Sequence, residues 1–390
     1  MTIKAGAGTN GGVIAPVTAG QINDAVNTAL ESAKAQGNGV KAAVVIRVEA
    51  GEGAADIETR IPRAAMEQVA SSGLASLTLS TSVLSAAFDT ETLMTIAKEA
   101  TGDVNFHLSN GDSSGLSPAA QRLVGDRPVF DLAVTGGDRT ISQFGGGVTV
   151  SVPYTPKAGE DTDAIVIYYL SGDGGPAVVA ESRYIPGTGI VSFRTNHFSA
   201  YGVGYNPVSF ADVTEQAWYG KAVGFIAARE ITSGTGDGLF SPDGVLTRGS
   251  FLVMAMRAYG ITPANPSADN FSDAGSTYYT GYLAAAKQLG IAQGVDSERF
   301  APEREITRQD MFTLLKNVLS TVHRLPDGKG GSGGTLSGFA DNGEIEPWAK
   351  EAVALMAENG LISGSGGKLR PADTATRAEM AQILYNLLTR

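Results

Sequence analysis

Residues 271–310 read FSDAGSTYYTGYLAAAKQLGIAQGVDSERFAPEREITRQD, and this stretch decides the architecture of the C-terminal half because its pattern occurs three times. It opens on Phe271-Ser272-Asp273, sets Tyr278 ahead of an apolar run, closes that run at Gly294, and places Pro302 six residues before Arg308, which follows Thr307. The same order returns in residues 210–250, FADVTEQAWYGKAVGFIAAREITSGTGDGLFSPDGVLTRGS, through Asp212, Trp218, Gly234, Pro242 and Thr247-Arg248. It returns again in residues 339–379, FADNGEIEPWAKEAVALMAENGLISGSGGKLRPADTATRAE, through Asp341, Trp348, Gly364, Pro371 and Thr376-Arg377. The three arginines stand 38, 37 and 38 residues after their opening phenylalanines. A fixed order held over such a period is the mark of a repeated supersecondary unit.

Within each unit the apolar period is helical. Ala222, Val223 and Ile226 form one stripe and Phe251, Leu252, Ala255, Met256 and Tyr259 a second. Their counterparts are Leu283, Ala286 and Leu289 with Met311, Leu314, Leu315 and Val318, then Val353 and Met356 with Met380, Ile383, Leu384 and Leu387. Spacings of three and four residues place each set on one helix face. Each unit is expected to be a helix, a Gly/Pro loop and a second helix. One such hairpin cannot cover its own stripe, so three should share a core with approximate threefold symmetry.

These strings resemble three consecutive S-layer homology repeats, a likeness that covers about the last 180 residues. The resemblance implies a compact pseudo-trimeric all-α domain that holds exported bacterial proteins on the cell wall by binding secondary cell-wall polysaccharide. In the best-known cases that glycan carries pyruvylated N-acetylmannosamine. The implied division is a β-rich α+β surface module at 1–205, repeats at 207–262, 268–324 and 337–390, and a Gly-rich linker at 325–336. The implied glycan-binding set is Arg248, Arg308, Arg377, Asp212, Asp273, Asp341, Gly234, Gly294, Gly364, Trp218, Tyr278 and Trp348. A noncatalytic, secreted cell-surface protein is expected, with assembly into a surface lattice as a further partnership.

The repeated residues also have structural readings. Thr376 and Glu379 have the spacing of a capping box, Asp310 after Thr307 is a partial one, and Ser250 after Thr247 a weaker one, so the first repeat has drifted. Arginine at the first helical position is mildly unfavourable beside the positive helix end, by about 0.3–1 kcal/mol. Its recurrence suggests a guanidinium fork set beside free helix N–H groups, suited to a carboxylate such as a pyruvyl ketal. A salt bridge to an acid of the next repeat is the alternative. The opening aspartates are either loop caps or acceptors of sugar hydroxyls. The glycines are turn residues, and their missing side chain would also admit a sugar to the backbone. Trp218, Tyr278 and Trp348 read first as wedges in the core or between repeats, and second as stacking platforms.

The first half shows no repeat. A helical pattern spans Ile22–Ala33, and further helices are expected at Ala64–Ala70, Thr92–Ala100 and Pro118–Val124. β-Branched segments fall at Ala42–Val48, Leu77–Thr81, Val104–His107, Val129–Val134, Val148–Val152, Ile165–Tyr169, Val178–Ser182 and Ile190–Arg194. The pattern fits one α+β domain or two β-rich subdomains meeting near Asp126.

Composition narrows the function. Of the 390 residues none is cysteine, so disulfide frameworks, thiolate nucleophiles and cysteine-ligated metals are excluded. The three histidines lie far apart, and no metal or redox cofactor is expected. A net charge of −11 without a basic patch argues against nucleic acid. No apolar run is long enough to span a membrane. The start lacks an apolar leader, so an export signal is expected to have been removed before this numbering begins. Two other readings attach to the first half. Asp89 with Glu91, or Glu160 with Asp161, are carboxylate pairs that a wall-anchored hydrolase would need, although adjacent acids are usually solvated turn residues. His197-Phe198-Ser199 resembles the cleavage element of autoproteolytic β-rich domains. There His197 would activate Ser199 against the Phe198 carbonyl, whereas a plain strand with Tyr201 and Val203 packed inward is the alternative.

Overall fold

A computed structural model describes residues 1–8, 12–37, 39–170, 175–265, 269–326 and 334–390. The chain forms two compact units, Met1–Asn206 and Pro207–Arg390.

Among the described residues the first unit is built on two sheets. One has seven strands in the order Thr2–Lys4, Ala43–Glu49, Ser76–Ser80, Ser85–Asp89, Gln143–Pro153, Ile190–His197 and Ser182–Ile185. The other runs Ala177–Val179, Ile165–Tyr169, Ala200–Tyr205, Val129–Gly136, Val104–Asn110, Asp56–Ile61, Val13–Pro16 and Gly6–Ala7, with Arg139–Thr140 paired to Val129–Gly136. Strict alternation places Val44, Ile46 and Val48 in the core while Ala43, Val45, Arg47 and Glu49 stay outside. Helices Ala19–Gln36, Arg63–Ser71, Thr90–Glu99 and Pro118–Val124 complete the unit. Two separate subdomains are not formed. Ser85–Asp89 pairs with Gln143–Pro153 across the supposed divide, and one buried cluster runs from Ile3 to Val203.

Strand Val178–Ser182 is in fact two strands, Ala177–Val179 and Ser182–Ile185, that join different sheets. Ala200–Tyr205 is a strand despite its weak β-propensity. A Cβ on Gly202 or Gly204 would lie 2.6 Å from the Val124 side chain or 2.2 Å from the Tyr168 ring, so close packing selects glycine there.

In the second unit each repeat supplies two helices: Gly220–Ala228 and Arg248–Ala258, Thr280–Gln288 and Arg308–Thr321, Lys350–Glu358 and Arg377–Leu388. The first helix of each repeat packs on the second helix of the preceding one in cyclic order, with Phe225 edge-on to Tyr385 at 5.1 Å closing the ring between repeats one and three. The predicted stripes are buried at Val223, Ile226, Phe251, Leu283, Met311, Val353 and Met380. Leu289 is an exception, 48% exposed, because the helix ends at Gln288 and the chain turns outward. Linker residues 327–333 lie outside the described residues.

Candidate functional site

The ring is closed at three equivalent corners, each built around a Thr-Arg pair. Thr247, Thr307 and Thr376 cap their helices by accepting the N–H of Ser250, Asp310 and Glu379, and at Thr376 the Glu379 carboxylate completes the reciprocal box. The expectation of free helix N–H groups beside the arginines is corrected by the structure. The N–H of Arg248, Arg308 and Arg377 donates to the carbonyl of Arg304, Asp373 and Gly244, and the following N–H donates to Pro302, Pro371 and Pro242. The proline loop of the next repeat thus caps each helix. The positive helix ends are engaged by protein carbonyls before any ligand arrives.

The arginine side chains continue the same interlock. Nε of Arg248 donates to the Phe300 carbonyl at 3.0 Å, Nε of Arg308 to Leu369 at 2.8 Å, and Nε of Arg377 to Phe240 at 2.7 Å. Arg248 and Arg377 each lie 4.7 Å above the ring of the same phenylalanine. The outer nitrogens then differ. Arg248 Nη1 is 3.4 Å from Asp310, and Arg308 Nη1 is bonded to Glu379. The position equivalent to Asp310 and Glu379 in the first repeat holds Ser250, and among the described residues no carboxylate lies within ion-pair distance of Arg377. Its Nη2 reaches the Thr232 hydroxyl at 3.4 Å. Burial pushes the Arg248 pKa down, with Asp310 opposing. It also pushes Arg377 down, opposed by Tyr278 and Asp212. The capping residues Asp310 and Glu379 therefore also neutralise the preceding repeat's arginine, a role that their local spacing alone does not reveal.

The opening aspartates hold a strained turn. Asp212 accepts from the N–H of Phe240 and Ser241, Asp273 from Phe300 and Ala301, and Asp341 from Leu369 and Arg370, all at 2.7–2.9 Å. Ser241, Ala301 and Arg370 sit at φ of 57°, 57° and 52°, a left-handed conformation unfavourable for a residue with a side chain. The N–H of Phe240, then burial in the opposite sense, then the N–H of Ser241 act on Asp212, leaving its pKa below the ordinary range. Burial raises the Asp341 pKa, but the N–H groups of Leu369 and Arg370 outweigh it and leave the group lowered. Gly234, Gly294 and Gly364 have positive φ, and a Cβ there would lie 2.3–2.5 Å from the carbonyl of Leu239, Arg299 or Lys368. The space left by the missing side chain is thus filled by the loop's own backbone.

The aromatic residues are not wedges. Trp218, Tyr278 and Trp348 are 62%, 61% and 53% exposed, while the next residues Tyr279 and Ala349 are buried. The helix start turns the first residue of each pair outward. Tyr278 crosses to the corner of Arg377: burial and then Glu303 raise its phenol pKa, while Arg377, Arg257 and Ser250 lower it. This corner therefore gathers Arg377 from repeat three, Ser250, Arg257 and Thr232 from repeat one, and Tyr278 from repeat two.

The candidates in the first unit are otherwise engaged. His197 stacks edge-on to Tyr169 at 4.8 Å and contacts Asn196 and Thr195, with no hydrogen bond to Ser199. Phe198 is buried against Phe88 and Phe144, and neither Phe198 nor Ser199 has a positive φ. Thr195 and Tyr201 both donate to the His197 carbonyl, at 2.9 and 2.8 Å, pinning the corner where the chain leaves one sheet for the other. Asp89 caps its helix and bonds Gly147 and Arg194. Glu160 is not a solvated turn residue, because it is bonded to Arg127, Tyr154 and the Lys157 N–H.

The S-layer homology domain model matches residues 209–252, 270–312 and 338–381. The chain is 27% identical over 259 residues to an amylopullulanase of Thermoanaerobacterium thermosulfurigenes, covering 65% of this chain and 14% of that protein. It is 29% identical over 191 residues to exoglucanase XynX of Acetivibrio thermocellus, covering 48% and 17%. It is 24% identical over 176 residues to S-layer protein EA1 of Bacillus anthracis, covering 45% and 20%. The chain thus spans a fifth or less of the length of these relatives. Among the described residues no helix is long and apolar enough to cross a membrane. The matched segments coincide with the three cyclically packed repeats, and the second unit of this chain is a set of three S-layer homology domains.

Proposed function

We propose that this chain is a noncatalytic protein of the bacterial cell surface, held on the wall by its second unit through an acidic secondary wall polysaccharide. The carrying observation is the ring of three corners, each holding an arginine between two repeats, with Arg248 and Arg377 buried and Arg308 half-buried. An exposed aromatic on every repeat supplies a face on which a sugar ring can stack. A pyruvyl ketal matches this chemistry, with a carboxylate for the guanidinium and an apolar sugar face for the ring. In a chain of net charge −11, such local cations are what an anionic polymer requires. The first unit serves as a displayed or lattice-forming module, since Asp89 and Glu160, the acids proposed for hydrolysis, are committed to structural hydrogen bonds. The test is retention of the full chain by purified sacculi before and after removal of the secondary polymer. Retention lost on removal supports the reading, and unchanged retention refutes it.

A further inference from the structure

We infer that only one of the three corners accepts an anionic sugar, the one centred on Arg377, and that the other two carry their own occupant. This rests on the wall-glycan reading above and specifies its site. The three arginines share a helix position and a carbonyl acceptor in the equivalent loop of the next repeat, so the residue at the outer guanidinium nitrogen decides what else each can bind. Asp310 faces Arg248 and Glu379 faces Arg308. An incoming carboxylate at either corner must displace a tethered one, whose effective concentration is high because it is part of the same fold.

At the Arg377 corner the equivalent position holds Ser250, which brings a hydroxyl and no charge and reaches Tyr278. Arg377 is itself only 8% exposed, and a buried cation without a carboxylate is costly until an anion completes it. The surroundings suit a small carboxylated sugar. Arg257 adds a second cation, bonded through Nε to the Tyr282 hydroxyl at 3.2 Å. Tyr278, Ser250 and Thr232 offer neutral hydroxyls, and the exposed Tyr278 ring offers a face. Two acids are near. Asp212 is bound to two backbone N–H groups and acts on Arg377 only at a distance, Glu303 accepts from the Tyr279 hydroxyl, and among the described residues neither lies within ion-pair distance of Arg377. The weak capping box of the first repeat is therefore the feature that leaves this corner receptive.

The test uses the full chain, titrated calorimetrically with pyruvylated N-acetylmannosamine and, as control, unsubstituted N-acetylmannosamine, with sacculus retention measured on the same samples. The parent should bind one equivalent of the ketal and none of the control. Ser250→Glu should weaken binding by roughly tenfold or more, because the new carboxylate occupies Arg377. Its melting temperature should hold or rise, because Glu completes the box after Thr247. Asp310→Ser should raise the stoichiometry to two. Two or three equivalents for the parent, undiminished binding by Ser250→Glu, or equal binding of the control sugar each overturn the single-corner assignment. Sacculus retention of the parent separates the failures: its loss refutes wall anchoring itself, whereas its persistence confines the failure to this site.

Discussion

Arg308 and Arg377 stand at the same helix position one repeat apart, and each reaches across to a carbonyl of the next repeat. One meets Glu379, and at the other corner the equivalent position holds Ser250. What they share is scaffold: a capping threonine, a proline loop that covers the helix end, and an aspartate that grips the loop. Among the differences, the acid or hydroxyl at the capping position divides a corner closed by an ion pair from a corner without one. Repetition in this unit therefore builds three equal joints without building three equal sites. Substitutions in the shared scaffold should cost stability at any corner, and substitutions of the arginines should separate the corners.

The largest effect on stability is expected in the shared part. Asp341→Ala removes two charge-assisted hydrogen bonds and frees a turn that holds Arg370 at φ 52°, so unfolding of the second unit by urea should show a loss of about 3 kcal/mol. The same contacts set an acid limit. Asp212 and Asp341 have pKa values below those of the unfolded chain, so their contribution is fully present above the ordinary carboxylate pKa of about 4 and is lost as pH falls through the lowered folded values. Melting followed from pH 7 downward should stay level on account of these groups until about pH 4 and fall below it. A decline beginning near pH 6 would point to other groups.

Smaller effects should sharpen the contrast. Arg308→Ala leaves Glu379 without its partner and should cost about 2 kcal/mol, whereas Arg377→Ala strands no carboxylate and should cost about 1 kcal/mol, both read from denaturant midpoints at unchanged slope. Equal losses would remove the distinction between closed and open corners. Thr376→Ala breaks a complete capping box and should cost about 1 kcal/mol, more than Thr247→Ala, where the partner is only Ser250.

Much of the second unit was legible because its signals are local and repeated. The helix stripes, the caps and the shared threefold core follow from period and spacing, and even the drift from Glu379 to Asp310 to Ser250 is visible in the letters. Its consequence was not, because Asp310 and Glu379 meet arginines of the preceding repeat 62 and 71 positions away, and the position equivalent to theirs at the ring closure holds Ser250. The exposed aromatics were misjudged for a related reason. Trp218 and Tyr278 are each followed by a second aromatic, and which member of the pair turns inward is set by the helix start rather than by hydrophobicity. In the first unit, alternation located most strands with β-branched residues but not Val13–Pro16 or Asp56–Ile61. It also missed the alanine-rich Ser85–Asp89, and Ala200–Tyr205, whose glycines are chosen by close packing against Val124 and Tyr168.

The central claim is that one arginine of three carries the anion, and the most direct measurement compares sacculus retention of full-length Arg377→Ala and Arg308→Ala at a temperature where both are folded. Loss of a charge-assisted contact should weaken retention by Arg377→Ala by roughly 10- to 150-fold, while Arg308→Ala should stay within about twofold of the parent. Equal losses in the two variants, or a loss confined to Arg308→Ala, would contradict the account.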